Sequence, residues 1–203
     1  MILPSSYFPP IFQFALIARA KEYEVEHSEH FVKQSFRSRC EIYGANGKLS
    51  LVIPLNKWKN NCPIQDIQIN YDENWQQIHW KSIESAYRAS PYFEFYEEDL
   101  KPLVFLETTS LLNRNQILEQ EIKDLMGIKT TSTPTLEYTS NETDYRTIIH
   151  PKNKELPLTV KFPKYIQVFE EKQGFIPNLS ILDLLFNLGP ESKTYLQTIN
   201  NPF

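Results

Sequence analysis

An apolar segment between two strand-like runs is the feature that most limits how this chain can fold. Residues 11–18 are apolar nearly all round and follow two prolines, which favours the first turn of a helix that ends near Ala20. A helix with so little polar surface must pack against a sheet. Residues 2–3 predict a strand before the helix, and the alternation over residues 23–27 predicts one after it. Strand, helix and strand in this order predict a right-handed parallel crossover.

The period-two pattern continues into further strands. Residues 36–43 and 49–55 alternate in this way and are joined by a turn at residues 44–47, whose Asn-Gly pair is typical of a hairpin. Residues 65–71 predict a fifth strand. With the crossover, these runs predict an α/β protein with a mixed β-sheet of about five or six strands and a β-hairpin region.

The C-terminal half is predicted to be mainly helical. Helices are expected at residues 74–88, 93–105, 113–126 and 179–188. Between the last two, residues 130–164 are rich in Thr, Pro and Lys and predict a strand at residues 136–139 followed by a long loop, of a length often found in lids. We expect a single domain over residues 1–203, with this segment as its lid or long loop.

Composition and charge exclude several classes of function. The 203 residues carry 25 acidic and 21 basic side chains, a net charge of −4, whereas nucleic-acid binding favours a basic domain. The longest apolar run is shorter than the roughly 18 residues of a membrane-spanning helix, so no span is expected. Two cysteines without C-x-x-C spacing and the lack of a signal-peptide pattern predict a cytoplasmic protein.

Hydrogen-bond donors cluster just before and within the third predicted strand. Arg37 and Arg39 lie on one face of that strand, and arginine suits planar recognition of carboxylate or phosphate. With Lys33, Gln34 and His30 beside them, they predict an anion-binding site. The alternative is a solvated loop and an outer sheet face, on which both arginines pair with nearby glutamates.

Polar residues also interrupt the apolar face of the helix predicted at residues 74–88. At about 100° per residue, His79 and Ser82 fall in the middle of the inward face, and Trp75 and Tyr87 flank them. Buried polar atoms need partners, and a ligand is one kind of partner, so this face predicts a pocket wall. A core histidine bonded to a carbonyl is the alternative.

Asp183 lies in the very apolar helix predicted at residues 179–188. A carboxylate in such a helix is either paired or functional. Together with Ser180 it fits an S-x-x-D capping pattern, so a structural role and a binding role both stay open.

Familiar cofactor and metal motifs do not occur. The chain has five glycines and neither a phosphate-binding glycine loop nor a nucleophile elbow. The histidine spacing does not predict a metal site, and the sequence identifies no cofactor.

Three stretches carry a resemblance to a known family. EHSEHFVKQSFRSRCEIYGANGKLSLVIPL, ENWQQIHWKSIESAYRASPYFEFY and GFIPNLSILDLLFNLGP occur in this order, and together they resemble the WbqC-like family of bacteria over nearly the whole chain. The resemblance places Arg39, Asn46, Gly47, Trp75 and His79 on the motif positions of that family. It implies a role in surface-polysaccharide (O-antigen) biosynthesis, as a transferase of glycine or another acyl or aminoacyl group to a sugar.

One departure from the family pattern bears on catalysis. Many members carry His-Gln-Pro before the Y-x-P turn, whereas here Leu3, Pro4 and Ser5 precede Tyr7. If that histidine is the base elsewhere, its function here has been lost or has moved to His27 or His30.

These observations predict a site between the donor cluster, the turn at Tyr7 and the helix carrying His79. Its substrates are expected to be an activated anionic donor and a sugar-containing acceptor. Lys33, Arg37 and Arg39 would hold the anion, and His79 or else His30 would be the general base. The further binding residues are Tyr7, Gln34, Asn46, Trp75, Ser82, Tyr87 and Asp183. The alternative function is a non-catalytic carbohydrate- or anion-binding protein of the same pathway.

Overall fold

Strands and helices succeed one another along the chain as in an α/β protein. The elements, in chain order, are β1 (Ile2–Leu3), α1 (Ile11–Arg19), β2 (Glu22–Val25), β3 (Arg39–Gly44), β4 (Gly47–Val52), α2 (Trp75–Tyr87), α3 (Phe93–Phe105), α4 (Leu111–Leu125), β5 (Thr131–Pro134), α5 (Glu170–Gln173), α6 (Ile181–Leu188) and α7 (Ser192–Thr198). This computed structural model describes residues 1–140, 143–153 and 160–200.

A three-stranded parallel sheet contains the N-terminal crossover. β1 and β5 lie on either side of β2, and both run parallel to it, so that Val25 is opposite Leu3 on one side and Pro134 on the other. Helix α1 connects β1 to β2 and is buried from Ile11 to Ile17 because it offers apolar side chains in every direction. The predicted parallel crossover is therefore confirmed.

The second sheet is the predicted hairpin. β3 and β4 are antiparallel, and their ladder ends at the pair formed by Gly44 and Gly47, leaving a two-residue turn. Gly47 has a φ of 100°, which glycine adopts without the strain that a side chain would add. The α/β class is confirmed, but the prediction of one mixed sheet of five or six strands is wrong, since the described residues form one sheet of three strands and another of two.

Two of the predicted strands are not found where the pattern placed them. Residues 65–71 begin in a short 3₁₀ turn (Ile64–Asp66) and then form only isolated bridges, at Gln68 and Ile69. Their alternation reflects the burial of Ile67 and Ile69, not a continuous ladder. The strand expected at residues 136–139 is instead β5, a few residues earlier, and Leu136 is 95% exposed.

The helical second half is confirmed. α1 packs on α7, and α2 packs on both α3 and β3, which encloses one apolar core. The helix predicted to begin at Asn113 begins at Leu111, because Ser110 accepts a hydrogen bond from the backbone N–H of Asn113 and so caps it. Within the described part of the chain, no helix is long and apolar enough to cross a membrane.

Candidate functional site

A cavity of about 750 Å³ lies where the segment after β2 meets the segment after β5, and we call it the polar cavity. Its lining is rich in charged and hydrogen-bonding side chains, as expected for a ligand site with a few oriented polar groups. The lining residues are Ser28, Glu29, His30, Val32, Arg37, Tyr138, Asp144, Arg146, Thr147 and His150.

Arg37 is fixed in the wall of the polar cavity by a buried ion pair. Its Nε and Nη2 atoms donate to the two carboxylate oxygens of Glu29, each at 2.6 Å. The side chains of Arg37 and Glu29 are 2% and 7% exposed. The amide of Asn115 in α4 donates to the backbone carbonyl of Arg37 at 2.8 Å, which anchors this segment to the core. Glu29 does not use the Nη1 atom of Arg37.

Arg146 supplies the second guanidinium of the cavity. Its Nε donates to Asp144 at 2.9 Å, and its Nη2 donates to Asp144 and to the backbone carbonyl of Thr139 at 2.5 and 2.7 Å. Its Nη1 lies 3.7 Å from Glu29 and 3.8 Å from the fully buried Glu26. Burial acts to raise the pKa of Asp144, but hydrogen bonds from Arg146 outweigh it and hold that pKa below its usual value.

An aromatic ring lies over one guanidinium. The ring centroid of Tyr138 is 5.0 Å from Arg146, and the tyrosine side chain is 64% exposed. A ring placed in this way has a flat apolar surface available to a ligand.

Two histidines line the cavity in different settings. His30 is exposed. His150 is half-buried, and its Nδ1 accepts a hydrogen bond from the backbone N–H of Lys152 at 3.1 Å. Burial lowers the pKa of His150, and the positive charges of Arg37, Lys152 and Arg39 lower it further. His150 is therefore neutral at pH 7 and carries its proton on Nε2.

The other members of the predicted donor cluster lie outside this lining. Arg39 begins β3, and its Nε is buried without a hydrogen-bond partner among the residues that the structure describes. Lys33 is exposed, with its Nζ atom 5.2 Å from the ring centroid of Trp58. Gln34 is exposed and occupies a left-handed turn position with a φ of 57°.

His79 is enclosed in the core, away from the lining of the polar cavity. The Tyr7 hydroxyl lies 2.9 Å from its Nδ1, and the ring also hydrogen-bonds to the backbone of Val52. Burial lowers the pKa of His79 to about 4, and the charge of Arg114 contributes to the shift. The ring thus interacts with Tyr7 and with the backbone of Val52, and the imidazole is neutral at pH 7. Its catalytic role stays a prediction.

Tyr7 and Trp75 belong to the same buried group around Arg114. The guanidinium carbon of this fully buried arginine lies 4.9 Å from the ring of Trp75 and 5.8 Å from that of Tyr7. Arg114 also donates to the backbone carbonyls of Leu103 and Val104, at the C-terminal end of α3. No carboxylate of the described residues pairs with this cation, which lies among helix-end carbonyls and aromatic faces.

Tyr87 and Asp183 meet in a second buried group. Tyr165 and Gln167 donate to Asp183 Oδ2 at 2.5 and 2.9 Å, and Tyr87 interacts with the same carboxylate while stacking on Phe186. Burial raises the pKa of Asp183, although these hydrogen bonds act to lower it.

The two remaining predicted binding residues, Asn46 and Ser82, lie at the surface. Asn46 is exposed in the hairpin turn, and the half-buried Ser82 donates to the carbonyl of Ile78. Ser82 is at the edge of the inward face because α2 buries Gln76 and Trp80 while leaving Ile78 59% exposed.

At the polar cavity the structure brings together two of the predicted site residues, His30 and Arg37, with others that the sequence analysis did not select. Tyr138, Asp144, Arg146 and His150 all come from the segment predicted as a lid or long loop. The only local signal was a D-Y-R run and one of the four histidines in a Thr-rich segment. No group of three His, Cys, Asp or Glu side chains suited to a metal ion occurs in the described ranges.

Comparison with known proteins assigns the chain to a family. The model of the WbqC-like protein family matches residues 5–155 and 150–195. A protein of Mycobacterium tuberculosis (strain ATCC 25618 / H37Rv), named uncharacterized protein Rv1507c, is 28% identical over 225 aligned residues, which cover 97% of this chain and 96% of that protein. No solved structure matches. Because the family match extends over most of the sequence, the chain belongs to the WbqC-like protein family.

Proposed function

We propose that the polar cavity is the substrate site of a transferase. The enzyme would move an acyl or aminoacyl group from an activated anionic donor to a sugar-containing acceptor during the biosynthesis of bacterial surface polysaccharide. One observation carries the proposal, namely a cavity of about 750 Å³ whose wall holds two guanidinium–carboxylate pairs, an aromatic ring and an exposed histidine. The resemblance to the WbqC-like family supplies the reaction class.

The acceptor sugar would bind between the charged pairs. Carboxylate oxygens of Glu29 and Asp144 accept hydrogen bonds from sugar hydroxyls, and the guanidiniums of Arg37 and Arg146 donate to ring and hydroxyl oxygens. Tyr138 offers an exposed face for the apolar side of the ring. Arg37 Nη1, which Glu29 does not use, would donate to the anionic part of the donor.

His30 is the general base in this proposal because it is the exposed histidine of the cavity. It takes the proton of the acceptor hydroxyl or amine as the acceptor atom bonds to the carbonyl carbon of the donor. The bond from that carbon to the leaving group then breaks, and the leaving group departs with the electron pair. His79, the other predicted base, would first have to release its bonds to Tyr7 and Val52.

A non-catalytic carbohydrate- or anion-binding protein is the second candidate. It is favoured by the ion pairing of both arginines, since a cavity wall preorganised in this way binds a ligand without needing a base. The two candidates share the site and differ only in turnover.

Thermal shift tests the shared site. Nucleotide sugars, coenzyme A thioesters and inorganic phosphate are screened on the wild type and on Tyr138→Ala, which alters an exposed side chain. A bound probe raises the melting temperature by mass action, and we expect Tyr138→Ala to reduce that rise. Tyr71→Ala, at a 37% exposed tyrosine outside the cavity, is the matched control and should keep it. The site assignment fails if no probe raises the melting temperature of the wild type or of Tyr138→Ala. It also fails if Tyr138→Ala and Tyr71→Ala lose the rise to the same extent.

Turnover separates the two candidates. For a donor and acceptor pair that binds, His30→Gln should retain the thermal shift. Mass spectrometry should no longer detect the increase in acceptor mass that the wild type produces. His27→Gln is the matched control, since His27 contacts Gln116 and lies outside the lining. A wild type that binds both ligands and never modifies the acceptor would be the binding protein instead.

A further inference from the structure

Two neighbouring segments of this acidic chain carry positive charge alone. Residues 30–40 and 53–65 together contain five lysines and arginines and no acidic residue, although the net charge of the chain is −4. The lysines of these segments are all exposed. With the aromatic and aliphatic side chains beside them they form a surface that we call the basic patch, made of Phe31, Val32, Lys33, Lys57, Trp58 and Lys59.

Contacts between the two segments fix the basic patch as one surface. The backbone N–H of Phe31 donates to the carbonyl of Cys62 at 2.8 Å, and that of Ile64 donates to the carbonyl of Glu29 at 2.9 Å. The ring of Phe31 meets that of Trp58 edge to face, with 5.2 Å between the centroids. Lys33 Nζ lies 5.2 Å from the centroid of the same indole. The three lysines are therefore held around one tryptophan.

Nearby carboxylates do not neutralise the patch. Glu29 and Glu41, which flank the first segment, pair with Arg37 and Lys48. The exposed Asp66 follows the second segment, so three lysines are set against one free carboxylate. Among the described residues, none of these three lysines forms an ion pair. The patch thus has positive charge left for an anionic partner.

The side chains around the lysines favour a lipid surface as that partner. Val32 is 42% exposed, and Trp58 is half-buried. Lysines that surround a tryptophan and an exposed aliphatic side chain suit the headgroup region of a bilayer, where ammonium groups meet phosphates and the indole enters the interface.

A single strand of nucleic acid fits the basic patch less well. Such strands bind by stacking successive bases on open aromatic faces. Here Lys33 already lies over the ring of Trp58, and Phe31 packs against that ring. The indole is therefore not open to a row of bases, whereas insertion among lipid headgroups needs no free ring face.

We infer that the basic patch docks the protein onto an anionic lipid bilayer. Lys33, Lys57 and Lys59 contact the phosphates of acidic lipids, and Trp58 enters the interfacial region. Val32 belongs to the patch and also lines the polar cavity, so docking places that cavity beside the headgroups. The inference goes beyond the transferase proposal and does not depend on it.

Vesicle co-sedimentation measures the docking. The protein should bind vesicles of phosphatidylcholine that contain about 30% phosphatidylglycerol, bind pure phosphatidylcholine far more weakly, and be released as salt is added. Because each lysine near such a surface is worth about fivefold in affinity, the double variant Lys57→Glu/Lys59→Glu should lose about 25-fold or more. Lys101→Glu/Lys129→Glu makes the same change in net charge at exposed lysines outside the patch and should stay within about threefold of the wild type.

Tryptophan fluorescence tests the contact with lipid directly. Trp75 and Trp80 are each 3% exposed, so Trp58 is the tryptophan that lipid reaches. Vesicles with brominated acyl chains should quench part of the emission of the wild type. Trp58→Phe should still bind the anionic vesicles, but its emission should no longer be quenched.

The inference is overturned if the wild type does not bind the anionic vesicles, if neutral and anionic vesicles bind equally, or if the two double variants lose affinity alike. Competition by millimolar glycerol phosphate would also overturn it, because the site would then bind a single phosphate rather than a bilayer. If oligouridylate binds through Lys57 and Lys59 while vesicles do not, the partner is a nucleic acid and the inference is wrong. None of these results depends on the thermal shifts that test the polar cavity.

Discussion

The ion pair of Arg37 and Glu29 allows a quantitative prediction, because both partners are buried and bound through two hydrogen bonds of 2.6 Å. Arg37→Met leaves the Glu29 carboxylate in the protein interior without its main partner. Breaking a buried pair from one side costs about 3–5 kcal/mol. Arg146 Nη1, 3.7 Å away, compensates in part, so we expect a loss near the lower end, about 3 kcal/mol.

Removing both partners should cost much less than the sum of the single losses. Glu29→Met leaves Arg37 buried without its carboxylate and should again cost about 3 kcal/mol. The double variant replaces two desolvated charges by apolar side chains, which is often close to neutral. The coupling free energy of the double-mutant cycle should therefore be about 2 kcal/mol or more.

Urea unfolding followed by far-UV circular dichroism measures these differences, provided that the slope against urea is unchanged. For a chain of this size, a loss of about 3 kcal/mol lowers the melting temperature by about 6–12 °C. Arg88→Met is the control, since its pair with Glu84 is on the surface and should be worth less than about 1 kcal/mol. Additive single effects, or an Arg37→Met loss no larger than that of the control, would refute the reasoning.

Four further outcomes are expected. Because the folded-state pKa of His79 is about 4, below the ordinary 6.5, the stability that the neutral ring contributes is complete above pH 6.5 and is lost as the pH falls towards 4. The difference in unfolding free energy between the wild type and His79→Gln should therefore decrease over that range by about 2–3 kcal/mol. A constant difference would contradict the lowered pKa. Arg114→Lys keeps the charge but loses the planar guanidinium that donates to two backbone carbonyls, so calorimetry should show that the free energy of unfolding falls by about 2–4 kcal/mol. An unchanged melting temperature would contradict this. Gly47→Ala meets no atom closer than 3.9 Å, so urea unfolding should show only the conformational cost of a φ of 100°, about 1–2 kcal/mol, and a larger loss would indicate a clash. Tyr165→Phe removes a donor to the buried Asp183 carboxylate and should cost about 1–3 kcal/mol in the same assay, whereas an unchanged stability would mean that this hydrogen bond is dispensable.

The elements that the sequence predicted well are those specified by their own residues. The parallel crossover follows from an apolar helix that cannot remain exposed, and the hairpin follows from the two-residue turn before Gly47. The sheet as a whole was not predictable in this way. Alternation in residues 65–71 reflects the burial of Ile67 and Ile69, which a loop with isolated bridges satisfies as well as a strand does.

The candidate site was predictable only in part, for a similar reason. Arg37 and His30 lie in a local cluster of donors that can be seen in the sequence. Arg146 and His150 are more than 100 residues away along the chain, and nothing in their local sequence reveals that the loop after β5 folds onto the loop after β2. Long-range contacts of this kind depend on the packing of the core between the two loops.

His79 shows how an inward histidine stays ambiguous until its partners are known. Its position on the apolar face of α2 was predicted correctly, and both a pocket role and a core role were consistent with it. The bonds of its ring to Tyr7 and Val52 describe a neutral, fixed imidazole, which is the situation expected in a core. The pH experiment above therefore bears on its role as well as on its stability.

The ion pairs of Arg146 with Glu26 and Glu29 connect two loops that share no strand ladder, so folding and function depend on some of the same atoms. Arg146 links the segment after β5 to Glu26 and Glu29 of the segment after β2, whereas Arg37 pairs with Glu29 inside that segment, and both arginines are also the proposed ligand donors. Loss of activity on replacing either one would not show which role was lost. Tyr138, His30 and His150 make no ion pair in the described residues, and all three line the polar cavity. Substitutions at these three positions are thus the ones that separate binding and catalysis from stability.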